Sequence, residues 1–101
     1  MAQASRWPQL AACFARLGMP VAVVDLETTG GNMYEDRVTE VALLRFEGGK
    51  ITQHQWLVNP EQPISPFITR LTGIDNEMVA AAPTFAELVP MLLPLLRGTL
   101  V

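Results

Sequence analysis

Apolar positions along the chain change period several times, and each change marks an element. Trp7, Leu10, Phe14 and Leu17 recur at helical spacing with Gln9 and Arg16 off the stripe. Gly18 and Pro20 stop that pattern. This predicts a short helix that packs on the rest of the chain through its apolar stripe; residues 1–6 carry no pattern and read as a frayed end. Val21 to Val24 is an unbroken apolar run leading into Asp25, which predicts a strand covered on both faces. A second strand follows at Val38 to Phe46, and Glu47-Gly48-Gly49-Lys50 has the composition of a hairpin turn. The third strand, Ile51 to Val58, is therefore antiparallel to the second and carries Thr52, His54, Trp56 and Val58 on one face.

Asn59-Pro60 ends the sheet segment, and helical signals take over. Ser65 reads as an N-cap with Pro66 at the first helical position, opening a helix to Thr72 that buries Phe67, Ile68 and Leu71 and stops at Gly73. Asp75 caps a second short turn over Asn76 to Ala80, and Ala81-Ala82-Pro83 is a linker. Thr84 with Glu87 forms a capping box for a helix through Phe85, Leu88, Leu92 and Leu95. Pro90 and Pro94 fall inside that pattern and predict a kink or a break into two pieces. Gly98 closes the helix, and Thr99-Leu100-Val101 reads as the start of another strand. The order is β-β-β-α-β, an α/β chain without repeats or an internal domain boundary.

The chemistry concentrates at the end of the first strand. Asp25 and Glu27 stand at i and i+2, so both point to one side of the strand. Two like charges there repel unless a cation lies between them, and a hard divalent ion such as Mg²⁺ or Mn²⁺ prefers oxygen ligands. The other reading of the spacing has Asp25 capping the following loop and Glu27 solvated. His54 is the chain's one histidine; it sits mid-strand with no acid near it in sequence and reads as a surface or packing residue.

Composition narrows the classes without choosing among them. The chain has 101 residues, half of them hydrophobic, which suffices for one small core. A formal net charge of -3 argues against binding nucleic acid by charge alone. The single cysteine, Cys13, rules out an internal disulfide and a cysteine-based zinc site. No apolar run approaches the roughly 20 residues of a membrane span, and the N-terminus lacks a signal-peptide pattern. The expectation is a soluble cytoplasmic protein with no membrane contact.

The ordered segments carry a family likeness. DLETTG at Asp25 to Gly30 resembles the first motif of the DEDD 3′→5′ exonucleases, especially the branch of the proofreading epsilon subunit of bacterial DNA polymerase III. DRVTEVALLRFEGGKI at Asp36 to Ile51 is similar to that family's second strand and hairpin. LVNPEQPIS at Leu57 to Ser65 resembles its post-strand loop. ITRLTGIDNEMVAAAPTFAEL at Ile68 to Leu88 is similar to the segment after it.

The resemblance implies an RNase H-like mixed sheet, here truncated after the third antiparallel strand and the following helices. Residues 1–20 would be an N-terminal helical extension, and 21–101 the N-terminal part of an exonuclease domain. It implies two-metal hydrolysis of phosphodiesters at a DNA or other nucleic-acid 3′ end, with Mg²⁺ or Mn²⁺ as cofactor. Asp25 and Glu27 would be the catalytic metal ligands, while Thr28, Thr29 and Gly30 would contact the terminal nucleotide. Leu71 and Thr72 match positions that lie against the last base or sugar, with packing inside the helix an equal reading. Glu40 matches a strand acid read as structural. A DNA polymerase subunit is an implied partner.

The family completes its site with an Asp in a second motif and a His or Tyr and an Asp in a third. No acid follows Glu87, and His54 lies upstream of the region where those motifs belong. The expectation is an N-terminal piece of a longer exonuclease, inactive or nearly so by itself. In the family fold the first strand is central, so here one of its edges would be left for Thr99 to Val101 to pair in part, or for a second copy to cover as a homodimer. The alternative is a binding or interaction module that keeps the fold without the chemistry. A phosphatase-like hydrolase with Asp25 as nucleophile fits less well, because that family wants Asp where Glu27 stands and the hairpin disagrees.

Overall fold

The structure is a computed structural model that describes residues 7–101; the stretch read as a frayed end, 1–6, lies outside the described residues, as does the side chain of Trp7. Elements run α1 (Trp7–Ala15), β1 (Val21–Thr28), β2 (Val38–Glu47), β3 (Lys50–Leu57), α2 (Pro66–Thr72), α3 (Asn76–Val79) and α4 (Phe85–Leu96). The three strands form one sheet in the order β1-β2-β3, antiparallel throughout. The β2–β3 turn is made by Gly48 and Gly49, both at positive φ, the backbone twist that suits a tight hairpin.

Register sorts the side chains onto two faces. Val24 opposes Leu43, which opposes His54; Leu26 opposes Val41, which opposes Trp56. This face packs under α4, where Val41, Leu43, Val58, Leu88 and Leu92 form the main core with Val24, Trp56 and Leu95 at its margin. On the other face Val21, Leu44 and Phe46 pack against Ala11 and Phe14 of α1, with Phe14 edge-on to Phe46 at 5.0 Å between centroids. At the opposite end of that face Leu57 and Ile68 pack on Ile64, Ile74 and Val79. Among the described residues, helices cover the two ends of this face and leave its middle open.

Three elements depart from what their sequence patterns predict. β1 is not covered on both faces: Val23 and Leu26 are 43% and 47% exposed, because β1 lies at the edge of the sheet and the helices do not reach its middle. Among the described residues its outer edge pairs only at its start, through Ala22 N–H to the Leu100 carbonyl at 2.8 Å and Leu100 N–H to the Pro20 carbonyl at 2.9 Å, a parallel bridge rather than a strand. In α1, Ala11 and half-buried Phe14 make the contact, while Leu10 and Leu17 stay exposed; the helix ends at Ala15, so Leu17 falls in the turn beyond it. In α2, Ile68 alone of the three expected apolar residues turns inward; Phe67 and Leu71 are exposed.

The caps were legible. Ser65 accepts from Ile68 N–H, Asp75 from Met78 N–H, and Gly73 ends α2 in the left-handed conformation. The two prolines do not split α4, which is one helix of 12 residues. Pro90 and Pro94, four apart, are both exposed and so lie on the side of α4 away from the core, each leaving one carbonyl without its intrahelical partner. Arg45 also donates from Nε to the Leu95 carbonyl at 3.2 Å, satisfying one acceptor of the last turn.

The capping box at Thr84 and Glu87 is complete, and α4 carries the main core, so the cap sets the entry of the helix on which the sheet packs. Thr84→Ala is expected to lower stability by about 1 kcal/mol, read as the urea midpoint at pH 7; an unchanged midpoint contradicts that role. Glu87 has its carboxyl held below the ordinary value of 4.5, first by the Thr84 backbone N–H and then by the Thr84 hydroxyl. Its contribution is therefore full above that value and is lost as pH falls through the lowered one. Glu87→Gln is expected to flatten this part of the acid limb; an identical pH profile contradicts it.

Candidate active site

Residue geometry at the end of β1 starts from the sheet. Asp25 opposes Ala42 and Glu27 opposes Glu40, so both acids rise from the open middle of the face that α1 and α2 cover at its ends. Asp25 is exposed and Glu27 half-buried, and Glu40 across from Glu27 is half-buried as well. After Glu27 the ladder skips Thr39, and Thr28 pairs with Val38. That irregularity lies where β1 gives way to the loop.

Beyond β1 the loop is held by side chains. The Thr28 hydroxyl donates to the Gly30 carbonyl at 2.7 Å. The Thr29 hydroxyl, 8% exposed, donates to Asp36 Oδ1 at 2.9 Å and accepts from the Arg37 N–H at 2.9 Å and from Gln62 Nε2 at 2.7 Å. One donor and two acceptor positions are all that a hydroxyl has. The Thr29 N–H is also engaged, with the Arg37 carbonyl at 2.8 Å. Both polar groups expected to meet a nucleotide at Thr29 thus have partners within the chain. Asp36 Oδ2 accepts from the Asn32 N–H at 2.8 Å. It also occupies the space beside Gly30, where an added Cβ would lie 2.5 Å from that oxygen.

A cleft of about 400 Å³ opens between this segment and α2, lined by Glu27, Thr28 and Gly30 on one side and by Phe67, Leu71 and Thr72 on the other. Five of the seven residues singled out from the sequence meet there: Glu27, Thr28, Gly30, Leu71 and Thr72. Asp25 lies one strand pair back on the same face, and Thr29 is buried behind the cleft. The Thr72 hydroxyl donates to the Ile68 carbonyl at 2.9 Å, whereas the Leu71 side chain is 71% exposed and free of packing. Sequence reading missed Phe67 as a cleft residue, since its helical spacing matched a buried side. It also missed Asp36 and Gln62; an acid and an amide in polar loops give no local signal of a distant partner. His54 stacks on Trp56 at 5.6 Å on the α4 face, away from the acids.

The donor set suits a hard cation. Magnesium is commonly held by one or two carboxylates, with water and phosphate completing its shell, and Asp25 and Glu27 are two carboxylates on one face of β1. Among the described residues there is no group of three or more His, Cys, Asp or Glu placed to hold a metal ion. None of their helices is long and apolar enough to cross a membrane.

Comparison with known proteins agrees with this architecture. Residues 22–101 match the model of the RNase_T family, described as exonuclease. The PolC-type DNA polymerase III of Caldanaerobacter subterraneus subsp. tengcongensis is 42% identical over 77 residues, which are 75% of this chain and 6% of that protein. DNA polymerase III subunit epsilon of Aquifex aeolicus is 39% identical over 80 residues, 78% of this chain and 40% of that protein. The chain thus spans less than half the length of either relative. Among solved structures, exonuclease X in complex with 5′ overhanging duplex DNA superposes with a TM-score of 0.60 at 31% identity, covering 71% of this chain and 42% of that one. The three antiparallel strands with their helices correspond to part of an RNase H-like sheet. With a family model matched over residues 22–101 and relatives 42% and 39% identical over about three quarters of its length, the chain belongs to the exonuclease family.

Proposed function

We propose that this chain is the N-terminal part, residues 21–101, of a metal-dependent 3′→5′ exonuclease domain that hydrolyses phosphodiesters at DNA 3′ ends, with residues 1–20 as a helical extension. The observation that carries the reading is the cleft that joins Glu27, Thr28 and Gly30 to Leu71 and Thr72 across more than forty residues of sequence. Asp25 and Glu27 would hold Mg²⁺ or Mn²⁺, and a bound ion supplies Lewis acidity toward a phosphodiester oxygen and a more acidic bound water. The strand fixes the spacing of the two carboxylates. Thr28 and Gly30 line the floor on which a terminal nucleotide would rest, and Leu71 offers an apolar surface for its base or sugar.

A two-ion site needs more carboxylates than the described residues bring together, so weak metal binding and little activity are proposed for the 101 residues alone. Relatives that are DNA polymerase III proteins suggest a polymerase subunit as partner, and the cytoplasm as the place of action. The test is a Mn²⁺-dependent 3′ digestion assay of this chain beside the longest form its gene encodes. The long form is expected to digest single-stranded DNA and to lose at least a hundredfold in rate on Asp25→Ala. Equal rates for the short and long forms, or an Asp25→Ala variant at full activity, would refute the reading.

The outer edge of β1 supports one proposal about assembly. Beyond Ala22 that edge has no strand partner among the described residues, and Val23 and Leu26 on it are exposed. A second copy of the 101-residue chain would satisfy those backbone groups by strand addition. Sedimentation is expected to show concentration-dependent dimers, with amide exchange from Val23 to Leu26 slowing as they form. A monomer at high concentration with slow exchange throughout Val21 to Leu26 contradicts this.

A further inference from the structure

The Thr29 hydroxyl joins three separate segments. It belongs to the end of β1, which carries the acids; it holds the loop through Asp36 and Arg37; and it receives Gln62 from the strap that leads into α2. That strap is fixed a second time at Ile64, whose N–H donates to Asn76 Oδ1 at 2.8 Å and whose carbonyl accepts from Asn76 Nδ2 at 3.3 Å. One residue on, Ser65 caps α2. Between Thr29 and the Leu71 wall there is thus a short run of hydrogen-bonded links at Gln62, Ile64 and Ser65. On the loop side the Asp36 carboxylate bridges the Thr29 hydroxyl and the Asn32 N–H, while the Asn32 side chain accepts from the Tyr34 N–H at 2.9 Å. The same carboxylate lies against Gly30, so the loop closes only where residue 30 has no side chain.

We propose that Asp36 and Gln62 are positioning residues for the reaction, acting through the Thr29 hydroxyl to fix the distance between the acid-bearing wall of the cleft and the Leu71–Thr72 wall. The proposal rests on the exonuclease reading for its consequence and on hydrogen-bond geometry for its existence. It also gives Thr29 a different task from the nucleotide contact implied by resemblance, since its hydroxyl and N–H are both engaged within the chain. A terminal nucleotide that touches both walls is aligned for attack only if their separation is held, and displacement by about 1 Å can cost on the order of a hundredfold in rate. Loss of alignment acts on turnover, whereas loss of a direct contact acts on affinity as well.

The experiment uses the full-length protein with Thr29→Val, which removes the hydroxyl and keeps the shape, Thr29→Ser, which restores it, and Asp36→Asn and Gln62→Met. The 3′ digestion assay is expected to show kcat reduced tenfold to a hundredfold in Thr29→Val and Gln62→Met with KM within threefold of the parent. Asp36→Asn should shift kcat in the same direction by less, and Thr29→Ser should recover to within threefold. In parallel, amide spectra are expected to show Thr29→Val displacing the Leu71 and Thr72 signals while leaving the β2–β3 ladder unchanged. Unchanged kcat in folded Thr29→Val, or a rise in KM with kcat retained, overturns the positioning role; the second result would return Thr29 to direct contact. If the parent digests nothing, the exonuclease reading falls, and unmoved Leu71 and Thr72 signals in Thr29→Val would then overturn the clamp independently.

Discussion

A slip of one residue between β1 and β2 would move every side chain of β1 to the opposite face. Asp25 and Glu27 would then sit under α4, among Val41, Leu43, Leu88 and Leu92, where an unpaired carboxylate is costly to bury. The observed register puts Val24 and Leu26 on that face instead and leaves the acids opposite Ala42 and Glu40. At one end the register is pinned by Val21 against Phe46 within the α1 cluster. At the other it is pinned by the Thr29–Arg37 backbone bond, just after the ladder skips Thr39. The placement of both carboxylates on the face that carries the cleft follows from this pairing.

The second wall arrives by a different kind of force. Little apolar burial holds α2: none of its residues is fully buried, and Ile68 makes its main contact. Caps and side-chain hydrogen bonds at Ser65, Ile64, Asn76 and Gln62 place it. Individually such bonds contribute on the order of 1 kcal/mol, so the wall owes its position to several acting together. The exposed Phe67 and Leu71 are the consequence, apolar surface turned to the cleft and not to the core.

Local signals were read well from the sequence, and long-range ones were not. Ser65, Asp75 and Thr84 each announce a helix start within four residues, and the structure uses all three as caps. Gly48 and Gly49 announce the hairpin by the backbone conformation they permit. The unbroken run Val21 to Val24 suggested cover on both faces, but hydrophobicity does not reveal how far α1 and α2 extend over a sheet face. Likewise Phe67 and Leu71 have the spacing of a buried stripe, while the helix is too short and too near the rim to bury them. Thr29 was legible as part of a motif but not as a hub, since its partners Asp36, Arg37 and Gln62 lie 7, 8 and 33 residues away.

The proposed divalent-cation site is the Asp25–Glu27 pair on β1, of which Glu27 lines the cleft formed with α2 and Asp25 lies two residues before it on the same face. Paramagnetic broadening of amide signals by substoichiometric Mn²⁺ tests it most directly, because it locates an ion without requiring turnover. The account predicts that Asp25 to Gly30 broaden first and Leu71 and Thr72 next, with the effect removed by Asp25→Asn. Broadening centred elsewhere, for instance at Glu61 or Glu77, or unchanged in Asp25→Asn, would contradict it.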